Sequence, residues 1–207
     1  SPNQFAVLRD KVIPFVRNGS ADETLRIVVL GCSTGAEPFS IASELRSAFP
    51  DLQFKIKAFD LVPDVVAKAR TAEYTREEVH LNPLVTDEFI SRTFDIDGET
   101  YRVKEELRQH VEFGEMNVLE PGVLEKCGKA QLVFAQNFLF HLEPPDARRA
   151  FETIVGLLEN HAALLIDGMD TGMRVQMTKK FDLEPVEDRI REVHEDARLD
   201  RGANWSS

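Results

Sequence analysis

Apolar positions along the chain follow two alternating periods. Short, nearly unbroken apolar runs predict buried strands at Leu25–Leu30, Phe54–Phe59, Val111–Met116, Leu132–Gln136 and Ala163–Ile166. Between them, apolar residues return at helical spacing. Phe5, Leu8, Val12 and Val16 mark an opening helix over Gln4–Val16. Further helices are predicted over Glu37–Ala48, with Pro38 in its first turn, over Pro63–Arg70, and over Pro145–Leu158, where Ala147, Phe151, Ile154 and Leu158 face inward. Strand alternating with helix predicts an α/β fold, Rossmann-like, with a mostly parallel, doubly wound sheet.

Two segments depart from the alternation. Residues 74–110 read as an inserted subdomain covering the sheet edge, with short helical structure around Pro83–Ser91, a small β-hairpin turning at Asp97-Gly98, and a helix near Lys104–Arg108. Residues 169–207 are charged and atypical, as if the natural domain continued past the end; Phe181–Pro185 is read there as a sixth strand. The 207 residues suit one domain, 1–207, rather than two.

The formal net charge of −11 repels phosphate backbones and excludes nucleic acid as a first partner. No stretch is apolar enough for membrane insertion, and Ser1-Pro2-Asn3-Gln4 lacks the features of a signal peptide, so a cytoplasmic location is expected. The two cysteines, Cys32 and Cys127, form no disulfide framework and lack zinc-ligand spacing, so no metal is expected.

In open parallel sheets, ligands bind beyond the carboxyl ends of the strands. The Gly31-Cys32-Ser33-Thr34-Gly35 loop, Asp60, Asn117 and Asn137 occupy four such ends in succession. The loop lacks the G-x-G-x-x-G spacing of a dinucleotide site, which ranks a nucleotide-dependent dehydrogenase low. Glu37 would oppose a pyrophosphate but suits a ligand amino group, or else it complements the helix dipole. Asp60 can accept from both hydroxyls of a ribose, or cap the next helix. Asn117 and Val118 can meet an adenine, or Asn117 closes an Asx turn. Cys32 reads as a packed thiol rather than a nucleophile.

At these positions the chain resembles the CheR-type chemotaxis receptor glutamate methyltransferases. The resemblance is carried by Gly31-Cys32-Ser33-Thr34-Gly35-Ala36-Glu37-Pro38-Phe39-Ser40, Ala58-Phe59-Asp60, Tyr101-Arg102-Val103 through Met116-Asn117-Val118-Leu119, and Phe134-Ala135-Gln136-Asn137-Phe138-Leu139-Phe140-His141. It implies a class I methyltransferase core holding S-adenosylmethionine. Glu37 would then lie near the amino group, Asp60 on the ribose, and Asn117 and Val118 around the adenine. Where the family has an Arg before the strand-end Asn and a Tyr four residues after it, this chain has Gln136 and His141.

Those two departures make Gln136 and His141 the candidate catalytic residues. Gln136 can hold an acceptor without charge, and His141 can act as a base toward an amine or hydroxyl; alternatively His141 packs beside Phe140 and Leu142. The acceptor is then a protein carboxylate or a small molecule. A non-catalytic S-adenosylmethionine- or partner-binding module is the alternative.

Overall fold

The computed structural model describes residues 2–18 and 23–186. Two strand systems organise them. The main sheet is five-stranded and wholly parallel: β1 (Thr24–Leu30), β2 (Gln53–Asp60), β6 (Val111–Glu115), β7 (Ala130–Ala135) and β8 (Leu158–Ile166), in the order β6-β2-β1-β7-β8. The chain winds outward from β1 through β2 to β6, then restarts on the other side of β1 at β7. The strand order therefore reverses between β1 and β7, and the crevice beyond their carboxyl ends is the expected ligand position.

The helices alternate with these strands. α1 (Pro2–Val7) and α2 (Ile13–Asn18) are joined by a π-helical turn at Leu8–Val12. α3 (Ala36–Ala48) follows β1, and α4 (Pro63–Thr71) follows β2. α8 (Val123–Cys127) leads into β7, and α9 (Pro144–Gly156) into β8.

The apolar runs form strands because both sheet faces are covered. Leu25, Ile27 and Val29 of β1 pack into one core with Phe39, Ile41 and Leu45 of α3. Val28 and Leu30 point to the other face, with Ala150 and Ile154 of α9. All six residues of β7 are buried. Phe54, Phe134 and Phe151 are among the largest fully buried side chains, each worth roughly 1.5–3 kcal/mol of transfer free energy.

Between α4 and β6 the chain builds a second, antiparallel sheet, β3-β5-β4, from β3 (Glu73–Thr75), β4 (Phe94–Asp97) and β5 (Thr100–Val103). The hairpin at Asp97-Gly98 is where the sequence puts it, with Gly98 at a φ of +60°. β3 adds a strand that the sequence reading lacks. The helical structure expected around Pro83–Ser91 resolves into α5 (Arg76–His80) and α6 (Asp87–Thr93), with residues 83–86 outside both. Side-chain caps explain the shift: Thr75 and Glu78 form a capping box, and Thr86 accepts from the Phe89 N–H at 3.2 Å. α6 and α7 (Glu105–Arg108) pack against α3.

The sixth strand expected at Phe181–Pro185 is not formed. The residues before it make α10 (Thr171–Lys180), and the chain then turns sharply, with Asp182 at a φ of +51°. The Leu183 N–H returns to the Thr178 carbonyl at 2.9 Å, closing the helix end, and Phe181 stacks on Phe151 at 6.1 Å. The alternating apolar residues thus cover a helix rather than extend a sheet. Residues 187–207, the rest of the segment read as atypical, lie outside the described residues. Among the described residues, no helix is long and apolar enough to cross a membrane.

Candidate cofactor site at the strand ends

The loop Gly31–Gly35 leaves β1 at the reversal point, and nearly every residue in it is anchored. The N–H groups of Gly31 and Cys32 both donate to the Phe59 carbonyl, at 2.8 and 3.0 Å. The Ser33 N–H donates to Asp60 Oδ2 at 2.8 Å. The Thr34 carbonyl accepts from the Tyr74 hydroxyl at 2.7 Å, and the Gly35 N–H closes onto the Cys32 carbonyl at 3.0 Å. Gly35 needs its missing side chain. It sits at a φ of +90°, and a Cβ there would meet Ala69, Phe113 and the Tyr74 hydroxyl at 3.1 Å. Gly31 is similarly pressed, with a Cβ falling 3.0 Å from the Phe138 ring.

Asp60 closes β2. One carboxylate oxygen takes the Ser33 N–H and the other takes the Val62 N–H at 3.0 Å. The group is thereby oriented and only partly buried, and each oxygen keeps acceptor capacity. The capping alternative is met in a weak form: Val62 is the residue that precedes α4, so Asp60 tethers the helix entrance as well as the loop. Leu61 and Val62 beside it are exposed apolar residues.

Glu37 lies in the first turn of α3. Burial, with the charge of Asp167 second, pushes its carboxyl up to about 7. Asp167, just past the end of β8, is a strand-end acid absent from the sequence reading. Its Oδ1 accepts from the Asn137 N–H at 2.8 Å, which holds Asn137 at a φ of +58°. The signal that exposes Asp60, an acid immediately after an apolar strand, would also have found Asp167.

Cys32 is buried, so only its backbone can face a ligand. Burial, then the charge of Asp60, pushes the thiol up to about 12, which keeps it protonated and unreactive. Asn117 makes the Asx turn: its Oδ1 accepts from the Leu119 N–H at 3.0 Å, while Val118 packs against the α9 side of the core.

The two candidate catalytic residues separate. Gln136 is buried, with 6% of its surface exposed, at the mouth of β7. His141 is exposed, at the end of a 3-10 turn (Leu139–His141), its ring 4.0 Å from that of Phe140. Phe140, 57% exposed, approaches Gly168, where a Cβ would fall 2.9 Å from its ring. Two recesses, of about 220 and 210 Å³, lie against β6 and on the inserted sheet. Neither includes the strand-end residues.

Loop, acids and strand reversal together define a Rossmann-like, class I methyltransferase fold. An O-methyltransferase family protein from Burkholderia thailandensis shares that fold, with a TM-score of 0.50 at 20% identity over 88% of this chain and 42% of that one. The family described as "CheR methyltransferase, SAM binding domain" matches residues 1–190, and the chain belongs to it. Among its relatives are the "Probable biofilm formation methyltransferase WspC" of Pseudomonas putida, 31% identical over 85% of this chain and 41% of that one. Another is "Chemotaxis protein methyltransferase 2" of Pseudomonas aeruginosa, 35% identical over 65% of this chain and 49% of that one. The chain thus spans under half the length of these two curated relatives.

The residues present fit the cofactor that the family description names. S-adenosylmethionine carries a sulfonium and an ammonium, and its sugar presents two hydroxyls. The strand ends offer Glu37, Asp60 and Asp167 as acceptors.

Proposed function

We propose that this chain is the cofactor-binding part of a methyltransferase that delivers the methyl group of S-adenosylmethionine to a protein carboxylate or a small-molecule acceptor. In this reading residues 1–207 act as one unit with 74–110 as an inserted subdomain. The observation that carries it is the Asp60 carboxylate, fixed by two backbone N–H groups at the strand reversal and still able to accept from a ribose.

Asp60 would take the two sugar hydroxyls, and Asn117, Val118 and the exposed Leu61 would border the adenine. Glu37, once ionised, would accept from the ammonium. The Gly31–Gly35 backbone would line the methionine portion, and Asn137 would close the crevice from β7. When bound, the cofactor supplies an electrophilic methyl group whose sulfur leaves neutral, so no residue has to act as an acid.

Positioning then dominates catalysis. The Gln136 amide can donate a hydrogen bond to an acceptor oxygen, more weakly than a guanidinium would. A carboxylate acceptor is already ionised at neutral pH and needs no base. For an amine or hydroxyl, His141 would receive the proton.

Calorimetry with S-adenosylmethionine and with NAD tests the cofactor, and transfer of a tritiated methyl group to lysate fractions tests the activity. Binding of S-adenosylmethionine alone, abolished in Asp60→Ala, with label incorporated, is the expected result. Binding without transfer to any fraction would favour a non-catalytic module. Binding that survives both Asp60→Ala and Glu37→Ala would place the site elsewhere.

A further inference from the structure

Four of the five residues in the Gly31–Gly35 loop are anchored from within the loop itself or from β2: Gly31 and Cys32 by Phe59, Ser33 by Asp60, Gly35 by Cys32. Thr34 is the exception. Its carbonyl is held by Tyr74, and Tyr74 belongs to β3, the first strand of the inserted sheet.

The hydroxyl is placed rather than incidental. Tyr74 is 8% exposed, and its oxygen also defines the wall against which Gly35 fits without a side chain. Burial pushes the phenol above its ordinary range, so it remains a donor at physiological pH. The ring is fixed from the subdomain side. Its backbone pairs with Tyr101 in β5 and Phe94 of β4 meets it edge-on at 6.1 Å, while from the main body Lys68 of α4 lies 5.6 Å from its centroid. Lys68 is itself paired with Glu78 of the Thr75 capping box at 3.4 Å. Any movement of the three strands relative to the main sheet therefore pulls on the loop carbonyl through one side chain.

We infer that Tyr74 is a positioning residue that couples the inserted sheet to the cofactor loop, so that ordering of that sheet and affinity for S-adenosylmethionine rise and fall together. The inference rests on the loop being the cofactor site. The coupling is reciprocal by thermodynamic necessity: what the sheet does to the loop, cofactor binding does to the sheet.

Tyr74→Phe removes the hydrogen bond and keeps the ring. Tyr101→Phe is the control, since Tyr101 lies in the same sheet but its hydroxyl meets His80 at 3.4 Å rather than the loop. Calorimetry with S-adenosylmethionine and S-adenosylhomocysteine should show about 5- to 10-fold weaker binding for Tyr74→Phe, in line with the loss of one net hydrogen bond, and less than twofold for Tyr101→Phe. In the wild type, hydrogen exchange of residues 73–75 and 100–103 should slow on adding S-adenosylhomocysteine. In Tyr74→Phe that slowing should vanish at saturating ligand, which a merely structural role would not produce. Equal affinities of wild type and Tyr74→Phe, or wild-type exchange unchanged by ligand, would overturn the coupling alone. A wild type that binds neither ligand would overturn the reading of the site and the coupling with it.

Discussion

Glu37, in the first turn of α3, is held up at about 7 by burial and by the charge of Asp167, just past the carboxyl end of β8. A carboxyl in that position is a poor structural residue at neutral pH and a good receptor for a cation. An ammonium group would favour its ionised form, so binding and deprotonation are linked. Affinity for S-adenosylmethionine should rise from pH 6 to pH 8 and then level. The ligand's own amine titrates too, so the informative quantity is the ratio to Glu37→Gln, which should lose this part of the dependence. Calorimetry near pH 7 in two buffers of different ionisation enthalpy should find about half a proton released by the wild type and almost none by the variant.

The same residue carries a stability cost with a defined sign. Its folded pKa is above the unfolded value, so its contribution is most favourable below pH 4.5 and is lost as pH rises through 7. At roughly 1.4 kcal/mol per pH unit the loss reaches up to about 3 kcal/mol. Glu37→Gln should therefore melt higher than the wild type at pH 8, with the two converging at pH 4.5, while binding the cofactor less well at pH 8. A variant that is less stable at pH 8 would show that Glu37 is held by partners other than burial and Asp167.

Gly35→Ala tests the tightness of the loop independently of charge. The backbone sits at a φ of +90°, and the added methyl would press on Ala69, Phe113 and the Tyr74 hydroxyl. The combined strain should cost about 2 kcal/mol of stability. Cofactor affinity should fall as well, because the group that has to give way is either the loop or Tyr74. Thermal melts and calorimetry measure the two effects separately. A variant with wild-type affinity would mean that the loop's shape does not set binding.

Much of this arrangement is legible in the sequence because it is local. Apolar runs end at Gly31, Asp60 and Asn117, and a strand end is a position that the chain itself marks. Asp167 follows the same rule: it comes directly after the apolar run Ala163–Ile166, whose end is also the end of β8, and is as legible as Asp60. Tyr74 is different in kind. It is one residue in a three-residue strand whose pairing with β5 spans the whole insertion, and no periodicity reports a contact with Thr34, forty residues earlier. Phe181-x-Leu183-x-Pro185 alternates like a strand, yet the turn at Asp182 that ends α10 leaves no trace in hydropathy.

The insertion is also clamped to the main body at its other side. Glu44 of α3, only 7% exposed, accepts from Arg9 Nη1 at 3.0 Å and from Arg92 Nη2 of α6 at 2.7 Å. Beside it, Ser43 and Thr93 share a buried hydrogen bond of 2.6 Å. Removing the carboxylate leaves two guanidinium groups facing each other. Glu44→Ala should cost about 2–4 kcal/mol, read from urea unfolding. A double-mutant cycle with Arg92→Met should recover part of that loss; strict additivity would show that the ion pair is not coupled.

His110 supplies a pH response of opposite sign to that of Glu37. Its Nε2 meets the Arg46 guanidinium at 2.6 Å, and since arginine only donates, Nε2 accepts and Nδ1–H donates to the Phe54 carbonyl at 3.0 Å. The ring stacks on Phe54 at 4.3 Å. Burial and the charge of Arg46 select the neutral imidazole and together outweigh the Phe54 carbonyl, which favours the protonated ring, so the pKa is lowered. The contribution is therefore complete above the unfolded value near 6.5 and is lost as pH falls through the lower folded one. Melting temperatures from pH 7.5 to 5 should fall more steeply for the wild type than for His110→Gln, which starts lower and stays flatter. Glu37 pulls the other way over part of the same range, so the measurement is cleanest in a Glu37→Gln background. Parallel curves there would mean that His110 titrates alike in the folded and unfolded chain, contrary to its position between Arg46 and Phe54.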